Sequence, residues 1–249
     1  GNIIDYTESQ VRTAFPKTIL EMSQIGTPNE DKTIYVWAAG NAGQYADQGV
    51  NYFHPELLPG MAYFIEEIQG HSIAVVSVDE DGQISDFSSM CGVSKDYCIA
   101  APGGSVNVAY PTSADDYGIY TGDTTDPDYN SCVEDNSCYA AAGGTSFAAP
   151  FVTGGLAVMA QYFEGQLGNT ELVSRLFTTA NKNGVYSNPE IYGQGLMDLA
   201  AATAPVGQVS SMLGNSLSGP MTSAAFTSIH LTNPSFGDSI SRGIINESV

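Results

Sequence analysis

Residues 143 to 163 set the tightest constraint on how this chain can fold. A glycine pair, Gly143-Gly144, leads into Thr145-Ser146-Phe147-Ala148-Ala149-Pro150. Phe151, Val152, Leu156, Val158, Met159, Tyr162 and Phe163 follow, with Ala and Gly among the residues between them. A helix over this run is apolar nearly all round and is therefore expected to be buried. Ser146 then stands at a buried helix N-terminus, where unpaired N–H groups and the positive end of the macrodipole favour an oxygen nucleophile and the oxyanion its attack creates. Pro150 is expected in or just past the first turn, where a missing amide costs little. A serine in such a place is more often a simple N-cap, so the flanking residues must decide.

Those flanking residues form a long and specific pattern. Gly144-Thr145-Ser146-Phe147-Ala148-Ala149-Pro150 occupies seven positions and says far more than a lone Gly-x-Ser. Upstream, Ile34-Tyr35-Val36-Trp37-Ala38-Ala39-Gly40-Asn41 reads as a buried strand ending in Ala-Ala-Gly-Asn. Between the two lies Ile99-Ala100-Ala101-Pro102-Gly103. In this order and spacing the three strings resemble the subtilisin-like serine proteases: the nucleophile motif, the segment bearing the oxyanion-hole asparagine, and the Ala-Pro-Gly turn. The resemblance runs over residues 1 to 207. It implies Ser146 as nucleophile, with its backbone N–H and the Asn41 side-chain amide as the oxyanion hole. It also implies that Ala38, Ala39 and Gly40 wall the pocket for the residue preceding the cut, with Thr145 at the substrate too. Such a small-residue strand lets an extended peptide pair with it.

Acyl transfer from a peptide to a serine also needs a base and a group that orients it. In subtilisin-like enzymes Asp and His both precede the oxyanion asparagine. None of the 40 residues before Asn41 is a histidine. His54 and His71 fall between Asn41 and Ser146, where the family does not place the base, and His230 lies in the tail. All three are read as non-catalytic, and Asp5 is followed by no Asp-to-His segment. The triad Asp and His are thus expected upstream of Gly1, the chain being the C-terminal part of a catalytic domain and inactive alone. The first residue is Gly, which agrees with a processed or truncated piece.

Other classes fit less well. A lipase-type hydrolase would place Gly at position 148, where this chain has Ala. The sedolisin relatives use Asp in the oxyanion role, where Asn41 stands here. The non-enzymatic alternative is an inactive subtilisin-like module acting as a binding or structural passenger domain.

With 7 Lys and Arg against 27 Asp and Glu, the net charge of −20 argues against nucleic acid or an anionic membrane as partner; protein or peptide substrates are what the resemblance implies. The acidic clusters at Asp79-Glu80-Asp81, Asp115-Asp116, Asp123 to Asp128 and Glu134-Asp135 sit beside turn residues and read as solvated loops. Calcium is the alternative, since carboxylates on turns supply hard oxygen ligands and the family often binds it, but no Asp-x-Asp-x-Asp-Gly loop is present. Four cysteines fall in two local pairs, Cys91 with Cys98 and Cys132 with Cys138, without Cys-x-x-Cys spacing or a nearby histidine. Two small disulfide loops and an oxidising compartment follow, so the chain is expected to be secreted or at the cell surface.

Along the chain, an amphipathic helix is expected within residues 6 to 24, then a strand at Ile34 to Ala39 buried on both faces. A substrate-facing loop should follow at 42 to 70, then strands at Ile73 to Val78 and Cys98 to Ala101. Residues 104 to 142 read as a loop-rich insertion, and a helix at Thr170 to Thr179 should pack on the sheet. The alternation argues for an α/β sandwich with a mostly parallel sheet, three-layered by the resemblance and incomplete at its N-terminal side. The peptidase part is placed at residues 1–204. Tyr192 to Ala200 and Pro205-Val206-Gly207 look like the exit from the protease domain of bacterial autotransporters, whose C-terminal translocator would later associate the protein with the outer membrane. Residues 205–249, poor in charge and rich in Ser, Thr and Gly, are a linker or the start of a following passenger module.

Overall fold

The computed structural model describes residues 1–109, 139–204, 209–212 and 226–229. Its centre is a parallel sheet in the order β1 (Tyr35–Ala38), β2 (Ser72–Val78), β3 (Cys98–Pro102). Trp37 pairs with Ala74, and Ala74 with Cys98. Every residue of β2 is buried, which matches its unbroken Ile-Ala-Val-Val run: a middle parallel strand is covered on both faces. The outer edge of β3 is closed by residues 194–197, where Gln194 N–H donates to Cys98 O (2.8 Å) and Met197 N–H to Ala100 O (2.9 Å).

β1 departs from expectation, being only half-buried along its length. Tyr35 N–H donates to His71 O (2.7 Å) and Ala39 N–H to Val75 O (2.9 Å). Parallel pairing therefore turns the N–H and C=O of Val36 and Ala38 away from the sheet, where they meet no partner among the described residues.

The single helix expected near the start is two, α1 (Glu8–Ala14) and α2 (Pro16–Ser23). Pro16 causes the break, because it can open a helix but cannot donate within one. Val11, Ile19 and Met22 from this pair form a core with Met61, Ala62, Ile65 and Ile68. The stretch 42 to 70 is therefore not one substrate-facing loop. Its second half is a run of short helical turns, including α3 (Leu57–Gly60), whose apolar side chains are buried under the sheet face carrying Tyr35 and Trp37.

The opposite face is covered by α4 (Thr145–Tyr162), which contacts all three strands. It is buried on one side only. Ala148, Val152 and Met159 are fully buried and Leu156 nearly so, whereas Phe151, Val158 and Tyr162 are 43%, 48% and 46% exposed. An all-round apolar sequence permits burial on every side, but among the described residues the neighbours of this helix leave Phe151, Val158 and Tyr162 partly uncovered. α5 (Asn169–Thr179) packs mainly on α4 and on the turn Asn29–Asp31, not on the sheet as expected.

The expected insertion begins and ends in structure: β4 (Val106–Ala109) and β5 (Tyr139–Ala142) pair antiparallel. Cys91 and Cys98 form a disulfide. The Cys132–Cys138 pair, the carboxylates between 115 and 135, and His230 lie outside the described residues. Compact units comprise Gly1–Leu199 and Ala200–Val249. Within the second, β6 (Val209–Met212) and β7 (Phe226–Ile229) pair antiparallel.

Candidate active site

All three parallel strands end on the same side of the molecule, the edge where ligands gather in open α/β sheets. β1 delivers Ala38 through Asn41 there, β3 delivers Gly103, and α4 begins there with Thr145 and Ser146. Gly144 N–H donates to Gly103 O (2.9 Å), which fixes the start of α4 against the Ala-Pro-Gly turn. Between them lies a cavity of about 710 Å³ lined by, among others, Ala38, Gly40, Asn41, Thr145 and Ser146.

The first turn of α4 uses its N–H groups unequally. Thr145 N–H donates to Asn41 Oδ1 (2.9 Å), while Phe147 N–H and Ala148 N–H both turn back to Gly144 O. Ser146 N–H and Ser146 Oγ bond no other described residue, and Ser146 is exposed. Pro150, in the second turn of α4, has no N–H to offer the carbonyl four residues back, which belongs to Ser146. The Thr145 hydroxyl closes the arrangement, donating to Asn41 Oδ1 (3.0 Å) and accepting from Gly40 N–H (3.2 Å). With Asn41 Oδ1 doubly occupied, its Nδ2 group is the end left to donate, and it has no partner among the described residues.

The expected pocket residues separate. Ala38 and Gly40 line the cavity. Ala39, between them, is fully buried on the other face of the strand, with its carbonyl taken by Glu56 N–H (2.9 Å). Thr145 is also fully buried, its hydroxyl committed to Asn41 and Gly40. It holds the donor group and does not present its own.

Several supports were not anticipated from the sequence. Ser89, fully buried, donates its N–H to Gly40 O (2.8 Å) and accepts from Ala42 N–H (3.4 Å), bracing Asn41 from both sides. Ser88 Oγ accepts from Ser77 N–H (3.0 Å), and Ser77 Oγ bonds Ser85 Oγ (2.8 Å), tying Gln83 to Ser89 onto the end of β2. The only signal was the serine-rich polar string itself.

Neither described histidine lines the cavity. His71 is fully buried with Nε2 on Met22 O (2.9 Å). His54 Nδ1 accepts from Val93 N–H (3.1 Å), and burial lowers its pKa from the usual value. For calcium, Asp79 Oδ1 is engaged by Asp81 N–H (3.0 Å) and Gln83 N–H (2.8 Å), the work of a turn, and no group of three ligating side chains occurs among the described residues. The described acidic cluster does not fit a resident metal.

Residues 7–195 match the model of the subtilase family. The chain belongs to the subtilase family. Its fold class, α/β with helices about a parallel sheet, is that family's, with three parallel strands among the described residues. Over 204 residues it is 30% identical to serotype-specific antigen 1 of Mannheimia haemolytica, covering 81% of this chain and 19% of that protein. Over 170 residues it is 29% identical to an extracellular serine protease of Serratia marcescens, covering 68% of this chain and 15% of the relative. It therefore spans less than a fifth of either relative. Among solved structures it is similar to the PatG macrocyclase in complex with peptide, with a TM-score of 0.50, 20% identity, and coverage of 74% of this chain and 45% of that one.

Proposed function

We propose that this chain carries the nucleophile and oxyanion hole of a serine endopeptidase. The observation behind the reading is that Asn41 and Ser146 line one cavity, and that Ser146 N–H and the Asn41 Nδ2 group have no partners among the described residues. Ser146 Oγ attacks the carbonyl carbon, the carbonyl oxygen takes up the negative charge, and the two donors stabilise it where a preorganised dipole is worth most. Collapse expels the amine and leaves an acyl group on Ser146, which water then removes. The outward N–H and C=O of Ala38, at the cavity wall, offer an extended peptide a strand to pair with.

The proton from Ser146 needs an acceptor. His71 and His54 are engaged elsewhere, His230 lies outside the described residues, and the reading, following the family's Asp-His-Ser order, assigns the base and its orienting aspartate to residues outside 1–249 and expects the chain alone to be inactive. The Serratia relative's name and the Cys91–Cys98 disulfide support an extracellular or surface location. An autotransporter-type precursor, with residues 205–249 leading into a further module and a translocator beyond, is part of the same proposal.

The test is Ser146→Ala in the natural gene product that contains this chain. Peptide hydrolysis and labelling by a fluorophosphonate should both disappear while the circular dichroism spectrum is unchanged. Labelling and hydrolysis that survive the substitution would reject the assignment.

A further inference from the structure

The cavity beside Ser146 has an acidic wall, and it comes from two segments far apart in sequence. Glu56 and Asp5 both line it, and among the described residues no Lys, Arg or His does. Backbone bonds hold each of them in place. Glu56 N–H donates to Ala39 O (2.9 Å), and Glu56 forms an antiparallel bridge with Asn2. On either side of that bridge, Leu57 N–H donates to Gly1 O (3.0 Å) and Ile3 N–H to Pro55 O (3.1 Å). Asp5 accepts Asn2 N–H (2.9 Å), while the Asn2 amide reaches Asn51 O (3.2 Å) and His54 O (3.1 Å). The first five residues are thus stitched to the loop that bounds the cavity.

Glu56 also sits close against the oxyanion segment. A Cβ at Gly40 would lie 2.7 Å from both Cγ and Oε1 of Glu56, and Gly40 has φ +117°. Glycine at 40 therefore serves the backbone and makes room for the carboxylate next to the residue preceding Asn41. Neither carboxylate takes part in an ion pair among the described residues, whereas Arg12 pairs with Glu8 and Glu67, and Lys95 with Glu190.

From this we infer that the site, read as the peptidase site proposed above, selects polypeptides with Arg or Lys at the residue preceding the scissile bond, and that Glu56, aided by Asp5, determines the selection. Tyr45 and Val50, 45% and 42% exposed at the same cavity, supply apolar surface for the aliphatic stem while the cation meets the carboxylates. A large apolar side chain would strip water from Glu56 and Asp5 and give them nothing in exchange. A net charge of −20 adds a long-range pull on cationic segments.

The natural gene product containing this chain is incubated with a proteome-derived peptide library, and cleavage sites are read by mass spectrometry beside a Ser146→Ala control. Ser146-dependent cuts after Arg and Lys are expected. Glu56→Gln should lower kcat/KM for an arginine peptide, relative to a matched norleucine peptide, roughly 10-fold or more. Ser146-dependent cuts after neutral residues would overturn the specificity and leave the peptidase reading standing, whereas cuts indifferent to Ser146→Ala would overturn both. Binding is read separately, without catalysis, as p-aminobenzamidine fluorescence on the Ser146→Ala protein. Saturable binding weakened roughly 10-fold by Glu56→Gln is expected, and absence of binding, or binding equal in the two proteins, would overturn the inference. Glu56→Asp, which keeps the charge, should retain most of the preference if the variants remain folded.

Discussion

Asn41 Oδ1 accepts two hydrogen bonds from one residue, the N–H and the hydroxyl of Thr145, at 2.9 and 3.0 Å. The same hydroxyl accepts Gly40 N–H, so Thr145 fixes both the backbone before Asn41 and the sense in which its amide points. In the peptidase reading proposed above, a donor held this way needs no reorganisation when charge develops on the substrate oxygen.

Thr145→Val, which keeps the shape and removes the hydroxyl, should lower kcat roughly 10-fold or more in the natural gene product with little change in KM, because the interaction strengthens only in the transition state. Thr145→Ser should restore most of the rate. A variant that raises KM and leaves kcat alone would place Thr145 at the substrate instead.

Asn41→Leu should cost more turnover than Thr145→Val, about 10²–10³, a figure that comes from subtilisin itself, a member of this family. It should also reduce stability, since the Thr145 N–H would be left buried without an acceptor, at about 1–3 kcal/mol. Thermal denaturation and steady-state kinetics on the same preparation separate the two losses.

One face of α4 bears on the sheet, and its substitutions should reveal which. Met159→Ala, at a fully buried position, should cost about 2–5 kcal/mol. Val158→Ala, beside it but 48% exposed, should change stability by about 0.5 kcal/mol or less. Chemical denaturation of the two variants decides. Equal, large losses would mean that Val158 is covered in solution.

Acid should loosen the loop that walls the cavity. Burial lowers the pKa of His54, with Glu190 opposing more weakly, and its Nδ1 must be unprotonated to accept Val93 N–H. On acidification the unfolded chain takes up the proton first. The stability from this site is complete above the unfolded value of about 6.5 and is lost as pH falls through the lower folded value. His54→Asn, an acceptor that does not titrate, should flatten the fall of Tm on the acid side. An unchanged slope would assign the acid sensitivity to other groups.

The sequence by itself determined the elements whose information is local. Ile73 to Val78 announced a middle strand by its unbroken apolar run, and residues 143 to 150 announced a serine at a helix start. The helical spacing of Met61, Ile65 and Ile68 was also present, though set among Gly and Pro in a stretch that reads as loop, and Pro16 marked a break inside an apparent single helix. The strings around Asn41 and Ser146 fixed the family because each is contiguous.

Only the tertiary structure decided what those residues face. The Thr145–Asn41 bonds span 104 residues, and Asp5 and Glu56, which precede and follow β1 in the sequence, meet at one cavity. The exposed side of α4 and the open edge of β1 are likewise set by which neighbours arrive. A periodic pattern records which side of an element prefers to leave water. It carries no record of the distant segment that covers that side or of the polar atoms brought there, because those depend on closing the chain over long loops.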